Sequence, residues 1–175
     1  MDANARREAI YQTIAKSDQP IKGGELARRF AVSRQVIVQD VALLRAHGQE
    51  ILATPDGYVL PAPERNGCVR VVMCRHTGIE RMRQELYAVV DAGGVVEDVL
   101  VSHAVYGELR APLLLRSRRQ VDDFADHAGW KKAAPLSTLT GGVHYHTISA
   151  PDPKTLDAIV EALDAAGLLS QEEAP

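Results

Sequence analysis

The chain has 175 residues, is 46% apolar and 25% charged, and carries a formal net charge of -3. That length and balance allow one large domain or two small ones with buried cores, and exclude a polycationic nucleic-acid coat or a long charged tail. No apolar run approaches the roughly 18 residues of a membrane span, and the first residues lack the apolar core of a secretory signal, so a soluble cytoplasmic protein with no membrane partner is expected. The two cysteines, Cys68 and Cys74, make no disulfide framework.

The first segment reads helix, helix, helix, hairpin. Residues 5–16 carry Ala9, Ile10 and Ile14 at helical spacing, and Ser17 to Pro20 break the pattern. A short helix over 24–30 turns Leu26, Ala27 and Phe30 inward. After the turn Ala31-Val32-Ser33, Ser33 is placed to cap a helix over 34–46. Its stripe is Val36, Ile37, Val41 and Leu44, and Gly48 ends it. Two short strands, 50–53 and 57–60, flank Pro55-Asp56-Gly57, where Pro presets one φ and Gly permits a positive one. Three helices and a hairpin predict a winged helix-turn-helix. Its third helix would lay Arg34, Gln35 and Gln39 on base edges, and Arg can pair guanine and Gln adenine bidentately. Ser33, Arg28 or Arg29 would touch phosphates, and the wing with Tyr58 would reach an adjacent groove or phosphate. Asp40, which phosphates would repel, is placed away from DNA.

Residues 61–67 hold two prolines and a glycine and read as a linker. The expected domains are therefore 1–62 and 68–170. They differ in charge: residues 1–62 hold 8 Lys and Arg against 7 Asp and Glu, whereas 63–175 hold 12 against 16. A module at net +1 has a weak electrostatic footprint, so specific DNA binding is expected to need a dimer.

The second segment alternates strand and helix. A strand over 69–74 leads to Thr77-Gly78-Ile79-Glu80, which fits a capping box with Thr77 as N-cap. The helix then runs to Asp91 with Ile79, Met82, Leu86, Val89 and Val90 inward. Strands follow over 95–102 and 108–115, then a helix capped by Ser117 and running to about Ala128. A strand pair is expected within 136–149 around Gly141-Gly142, and a last helix over 153–166. The pattern predicts an α+β fold, mainly antiparallel, with helices on one face. His47 and His127 fall near predicted helix C-termini, where the dipole favours them.

Besides His127, four histidines lie in this half. His144 and His146 alternate with Tyr145 on a strand, so both imidazoles share a face and can grip one ion. His76 ends the domain's first strand, and Glu85 sits at the edge of the following helix's apolar stripe. Two readings fit these residues: exposed strand polars with Glu85 solvated on its helix, or a four-ligand N/O set suited to one divalent ion, Ni, Zn, Fe or Mn. Cys74 reads as a small apolar core residue.

Residues 6–60 resemble the winged-helix half of biotin-repressor-type regulators, on Gly24-Glu25-Leu26-Ala27, Val32 to Asp40, Leu44-Arg45 and Gly57-Tyr58. Residues from about 70 to 169 resemble the three-histidine (3H) domain. The matching pieces are His76, Glu85 to Asp91 with Gly93-Gly94, His103 to Glu108, and Leu139 to Thr147. The middle motif departs from the family's Asp-His-Pro-Val-Tyr-Gly at Ser102 and Ala104. This domain order is that of niacin-responsive transcriptional repressors. The resemblance implies a transition-metal site at His76, Glu85, His144 and His146. It also implies repression of NAD biosynthesis or niacin uptake genes by a homodimer on double-stranded operator DNA, with nicotinic acid as co-repressor. For the effector pocket it points to His103, Tyr106 and Arg75; His103 reads equally as a structural residue bonding the backbone. Two rival readings keep the metal. One makes it hydrolytic toward a nicotinamide-like amide with Glu108 as base; the other makes the domain a pure metal sensor.

Overall fold

The computed structural model describes residues 2–17, 19–61 and 67–170, so most of the expected linker lies outside the described residues. The chain forms two compact units, Met1–Arg65 and Asn66–Pro175.

The first unit comprises α1 (Ala3–Ala15), α2 (Gly23–Arg29), α3 (Arg34–Ala46), β1 (Leu52–Thr54) and β2 (Gly57–Val59). Capping side chains start two of the helices. Asp2 accepts from the Ala5 N–H at 2.8 Å, and Ser33 from the Val36 N–H at 3.3 Å. Between α2 and α3 the chain turns through Ala31 at φ +53°, and the Val32 N–H returns to the Ala27 carbonyl. The hairpin docks on the start of α2, because Ile21 and Tyr58 exchange both backbone hydrogen bonds at 2.9 Å. Gly57, at φ +136°, is required there: a Cβ would fall 2.3 Å from the Ile21 carbonyl oxygen. Ile10, Ile14, Leu26, Ile37, Val41, Leu44 and Ile51 form the core. Asp40 points into this unit from α3, only 3% exposed, and binds Arg6 through two contacts of 2.7 and 3.3 Å. It thus ties α3 to α1. Asp40→Ala leaves a half-buried guanidinium without its partner, and a fall in melting temperature of roughly 5 °C or more is expected. A thermal melt unchanged by the substitution would count against this tie.

The second unit comprises β3 (Cys68–Arg75), α4 (Ile79–Asp91), β4 (Val95–His103), β5 (Gly107–Leu115), α5 (Arg118–Ala125), β6 (Val143–Ala150) and α6 (Pro153–Ala165). The strands make one antiparallel sheet in the order β3-β6-β4-β5. Strand alternation sends Val72, Cys74, Ile148 and Ala150 into a core with Met82, Leu86 and Val89 of α4, Val121 of α5, and Leu156, Ile159 and Leu163 of α6. On β3 the intervening residues Val69 and Val71 stay 63% and 61% exposed. Helices therefore cover one face, as the pattern predicted. Arg83 bridges α4 to Asp122 and Asp126 of α5, and Arg118 lies on the Tyr87 ring and pairs with Asp91.

Four local expectations are corrected. The capping box is absent: α4 begins one residue later, with Gly78 as N-cap at φ +85° and no side-chain cap bond. That shift moves Glu80 to the second helical position, from which it cannot close the reciprocal pair. Residues 136–149 do not form a strand pair. Leu136–Thr140 is a 3-10 helix, and β6 alone follows. Pro135 starts this turn, and Gly142 closes it by donating to the Ser137 carbonyl at 2.8 Å. Third, α5 stops at Ala125, and a separate 3-10 helix follows at Ala128–Lys131. His127 joins the two by accepting from the Gly129 N–H, so it caps that turn and does not serve the dipole of α5. His47 does lie at the end of α3, with Nδ1 2.6 Å from the Leu43 carbonyl oxygen. Among the described residues, no helix is long and apolar enough to cross a membrane.

Candidate functional site

Glu85 occupies the buried stripe of α4 with Met82, Leu86 and Val89, at helical spacing, and is fully buried. An ionised carboxylate at such a place must meet compensating charge. The sheet supplies it. Register pairs Val72 with His146 and Cys74 with His144, so both imidazoles leave β6 toward α4. His76 follows the end of β3 and joins them. Its Nε2 lies 2.6 Å from Glu85 Oε2; the Nε2 atoms of His144 and His146 lie 3.1 and 3.4 Å from that same oxygen. His144 stands edge-on to both neighbours, with ring centroids 4.8 Å from His76 and 5.0 Å from His146.

Second contacts set the imidazole tautomers. His144 Nδ1 lies 2.9 Å from the Gly142 carbonyl oxygen, and His146 Nδ1 lies 2.6 Å from that of Asp98. A carbonyl only accepts, so each Nδ1 carries a hydrogen; Nε2 then meets Glu85 as a lone pair in the neutral ring and as a second N–H in the imidazolium. Lone pair against carboxylate is repulsive unless a proton or a metal ion lies between them. A β-bulge makes the contact to Asp98 available, because β4 shifts register between Val96 and Asp98. The Asp98 side chain also accepts from the Thr147 N–H.

Electrostatics agree with this picture. Burial opposes ionisation of Glu85, yet His146 and the hydrogen bonds from all three imidazoles hold it well below the usual carboxylate range. Burial likewise opposes protonation of His146, but the Glu85 charge pushes it above the ordinary imidazole value. Burial, then the Glu85 charge, drives the Cys74 thiol up, so it stays protonated and can donate to Glu85.

His76, Glu85 and His144 offer ligand atoms within 4.8 Å of one another, whereas His146 stands outside this trio and reaches it through Glu85. The residues suit a divalent ion: neutral imidazoles, one carboxylate, and outer N–H groups bonded to backbone carbonyls on two of the three histidines. The other expected residues lie elsewhere. His103 closes the β4–β5 turn, its Nδ1 accepting from the Val105 and Tyr106 N–H groups, with the Tyr106 ring 5.0 Å away. Val105 and Tyr106 are largely exposed at the tip. Arg75 is exposed, on the opposite face of β3 from Cys74. Glu108, the base a hydrolytic reading needs, is exposed on β5 opposite Ser102.

In the first unit, Arg34, Gln35 and Gln39 are exposed on the first two turns of α3, as are Arg28 and Arg29 on α2. Ser33 serves as the N-cap of α3. Tyr58 is half-buried against the core, its ring over Gly23. Residue reading missed the Asp98 and Gly142 carbonyls, which no residue type announces.

Residues 69–172 match the 3H domain and residues 6–59 match an HTH domain. Over 167 residues the chain is 44% identical to the probable transcription repressor NiaR of Thermotoga maritima, covering 95% of this chain and 94% of that protein. It is 42% identical over 175 residues to the transcription repressor NadR of Bacillus subtilis, covering 98% and 96%.

Proposed function

Because this chain belongs to the HTH-plus-3H family of transcription repressors, DNA-binding regulators and not enzymes, we propose that it represses NAD biosynthesis or niacin uptake genes with nicotinic acid as co-repressor. In this reading the 3H domain holds one divalent ion, Ni, Zn, Fe or Mn, through His76, Glu85, His144 and His146. A homodimer engages two operator half-sites in the cytoplasm through Arg34, Gln35 and Gln39, with Ser33, Arg28 and Tyr58 toward the backbone. His103, Tyr106 and Arg75 complete the effector side. The observation that carries the reading is the convergence of three imidazole Nε2 atoms on one buried carboxylate oxygen. When bound, the ion supplies a fixed positive charge toward which an anionic pyridine can orient. The Gly142 and Asp98 carbonyls keep a hydrogen on Nδ1 of His144 and His146, and the cluster keeps Glu85 ionised.

The test is operator binding by the metal-loaded protein with and without nicotinic acid, and again after chelation. Tighter binding only with both metal and nicotinic acid is expected. Binding indifferent to nicotinic acid but dependent on metal supports a pure metal sensor instead.

The histidine cluster also sets a pH signature. In the chelated protein, His146 has a raised folded pKa, so its contribution is complete below its unfolded value of 6.5 and drains away as pH rises through the folded value. Glu85 has a depressed pKa, so its contribution is present above 4.5 and is lost only as pH falls through the folded value. The cluster therefore stabilises the chelated fold most between those two unfolded values and less toward alkaline pH. Metal loading reverses the slope, since the ion competes with protons for the imidazoles. Melting temperatures between pH 6 and 9 should fall with EDTA and rise with Ni(II). Parallel slopes in the two conditions would contradict the assignment.

A further inference from the structure

The sheet of the second unit ends in two edge strands, β3 and β5, and they are built differently. An edge offers unpaired N–H and C=O groups, and natural sheets blunt it with proline, bulges and charge. β5 uses all three. Pro112 has no N–H, Leu114 bulges out at φ +56° where the register with β4 shifts, and Glu108 and Arg110 are exposed. β3 is covered only along its second half. There the Arg75 N–H donates to the Leu168 carbonyl at 3.0 Å, and the Ser170 N–H donates to the Met73 carbonyl at 2.9 Å.

The first half of β3 carries none of these devices. In an antiparallel strand the N–H and C=O of one residue point to one side, and those of the next residue to the other. The register of β3 with β6 runs unbroken from Cys68 to Arg75. Met73 and Arg75 turn their groups to the outer edge, so Val69 and Val71 do the same, and among the described residues no strand lies beside them. The side chains of both valines are also more than half exposed. Between them Arg70 turns to the helix side and pairs with Asp157 of α6 at 2.9 Å, so no charge guards the bare valines on their own face.

We propose that this half-edge pairs with a second copy of the chain: β3 lies antiparallel to the partner's β3 about a two-fold axis at Arg70, joining two sheets into one. This rests on the homodimer reading above and names its surface. The edge fits itself. About that axis Val69 faces the partner's Val71, and each such pair exchanges both N–H···O bonds. An axis one residue further on would set Val69 against the partner's Met73, whose carbonyl Ser170 already holds. The cross-strand valine pairs cover the exposed side chains. On the helix side the two Arg70 guanidiniums meet, each with an Asp157 carboxylate at hand; these side chains are 39% and 61% exposed and can exchange partners across the seam. The chain's own residues 171–175, outside the described residues, read Gln-Glu-Glu-Ala-Pro and are poor strand formers beside such an edge. Pairing this short makes a small interface, so the free dimer is concentration-dependent and two operator half-sites hold it together.

Cross-linking of the full-length protein reads the register. In a Cys68→Ala background, Val69→Cys and Val71→Cys are oxidised with glutathione disulfide, each alone and then mixed. The mixture should give a disulfide-linked dimer and either variant alone should not, because the two positions face each other only across the axis. Their Cα atoms would stand about 5.5 Å apart, within the span of a disulfide. By sedimentation equilibrium, the double substitution Val69→Lys, Val71→Lys should raise the dimer dissociation constant about tenfold or more, since it sets like charges opposite one another on the edge. Its melting temperature at monomeric dilution should match the wild type, and Val71→Thr should still dimerise. A wild type that dimerises while the mixture gives no cross-link overturns this edge and leaves the homodimer reading standing; unchanged association of the lysine variant does the same. A wild type that saturates the operator as a monomer overturns both. Cross-linking that appears only in a chain ending at Ser170 gives the edge to residues 171–175 and overturns the proposal.

Discussion

Glu85→Ala is expected to lower the affinity for Ni(II) or Zn(II) by at least about a hundredfold and to abolish the metal-induced rise in melting temperature. Outer partners of metal ligands alone are worth about 10–100-fold, and Glu85 is the oxygen that all three imidazoles face. Its removal also leaves His146 without the charge that raises its pKa, so the alkaline loss of stability in the chelated protein should disappear as well. His144→Ala should likewise abolish metal retention. His146→Ala is expected to do less, because His146 stands outside the trio. Competition with a chromophoric chelator and elemental analysis after gel filtration read these differences. Stoichiometric metal retained by Glu85→Ala would remove the site from consideration.

The double substitution Arg34→Ala, Gln35→Ala is expected to weaken operator binding by about a hundredfold while leaving the melting temperature unchanged. Each bidentate base contact is worth about 1–3 kcal/mol of discrimination. Both side chains are exposed on α3, whose docking in the unit rests on Ile37, Asp40, Val41 and Leu44. Arg28→Ala should behave differently: binding should weaken on every sequence alike, and the slope of log affinity against log salt should drop by about one. Fluorescence anisotropy on an operator and a scrambled duplex separates the two patterns. Arg34→Ala that keeps full discrimination between the duplexes would place the reading elsewhere on α3.

Chemistry carried by near neighbours was legible in the residue order. Ser33 and Ser117 cap helices by reaching N–H groups three residues on, and such bonds need no distant partner. The apolar stripes of α1, α3, α4 and α6 follow from helical spacing. His144 and His146 share a face because strand side chains alternate. The winged-helix reading rests on the same kind of signal, and the HTH match agrees with it.

Local reasoning failed where two near bonds competed or a far one decided. Thr77-Gly78-Ile79-Glu80 fits a capping box, but Gly78 takes positive φ and starts the helix itself. Pro135 and the paired glycines after Thr140 let residues 136–140 wind into a 3-10 helix where strand-forming residues had argued for extension.

By itself the order of residues determined the elements, the two-part division of chemistry and the identity of the histidines and carboxylate that meet, since periodicity and capping act over a few residues. Only the tertiary structure decided how they meet. The sheet order β3-β6-β4-β5 puts β6 beside both β3 and β4, so residues 59 apart in sequence, Glu85 and His144, come within 3.1 Å. The bulge at Asp98 and the close approach of Gly142 then choose which nitrogen of each imidazole carries the hydrogen. Those choices depend on backbone carbonyls, which every residue possesses and no side chain reveals, and they leave His76 Nδ1 the one ring nitrogen of the cluster that nothing in the fold satisfies.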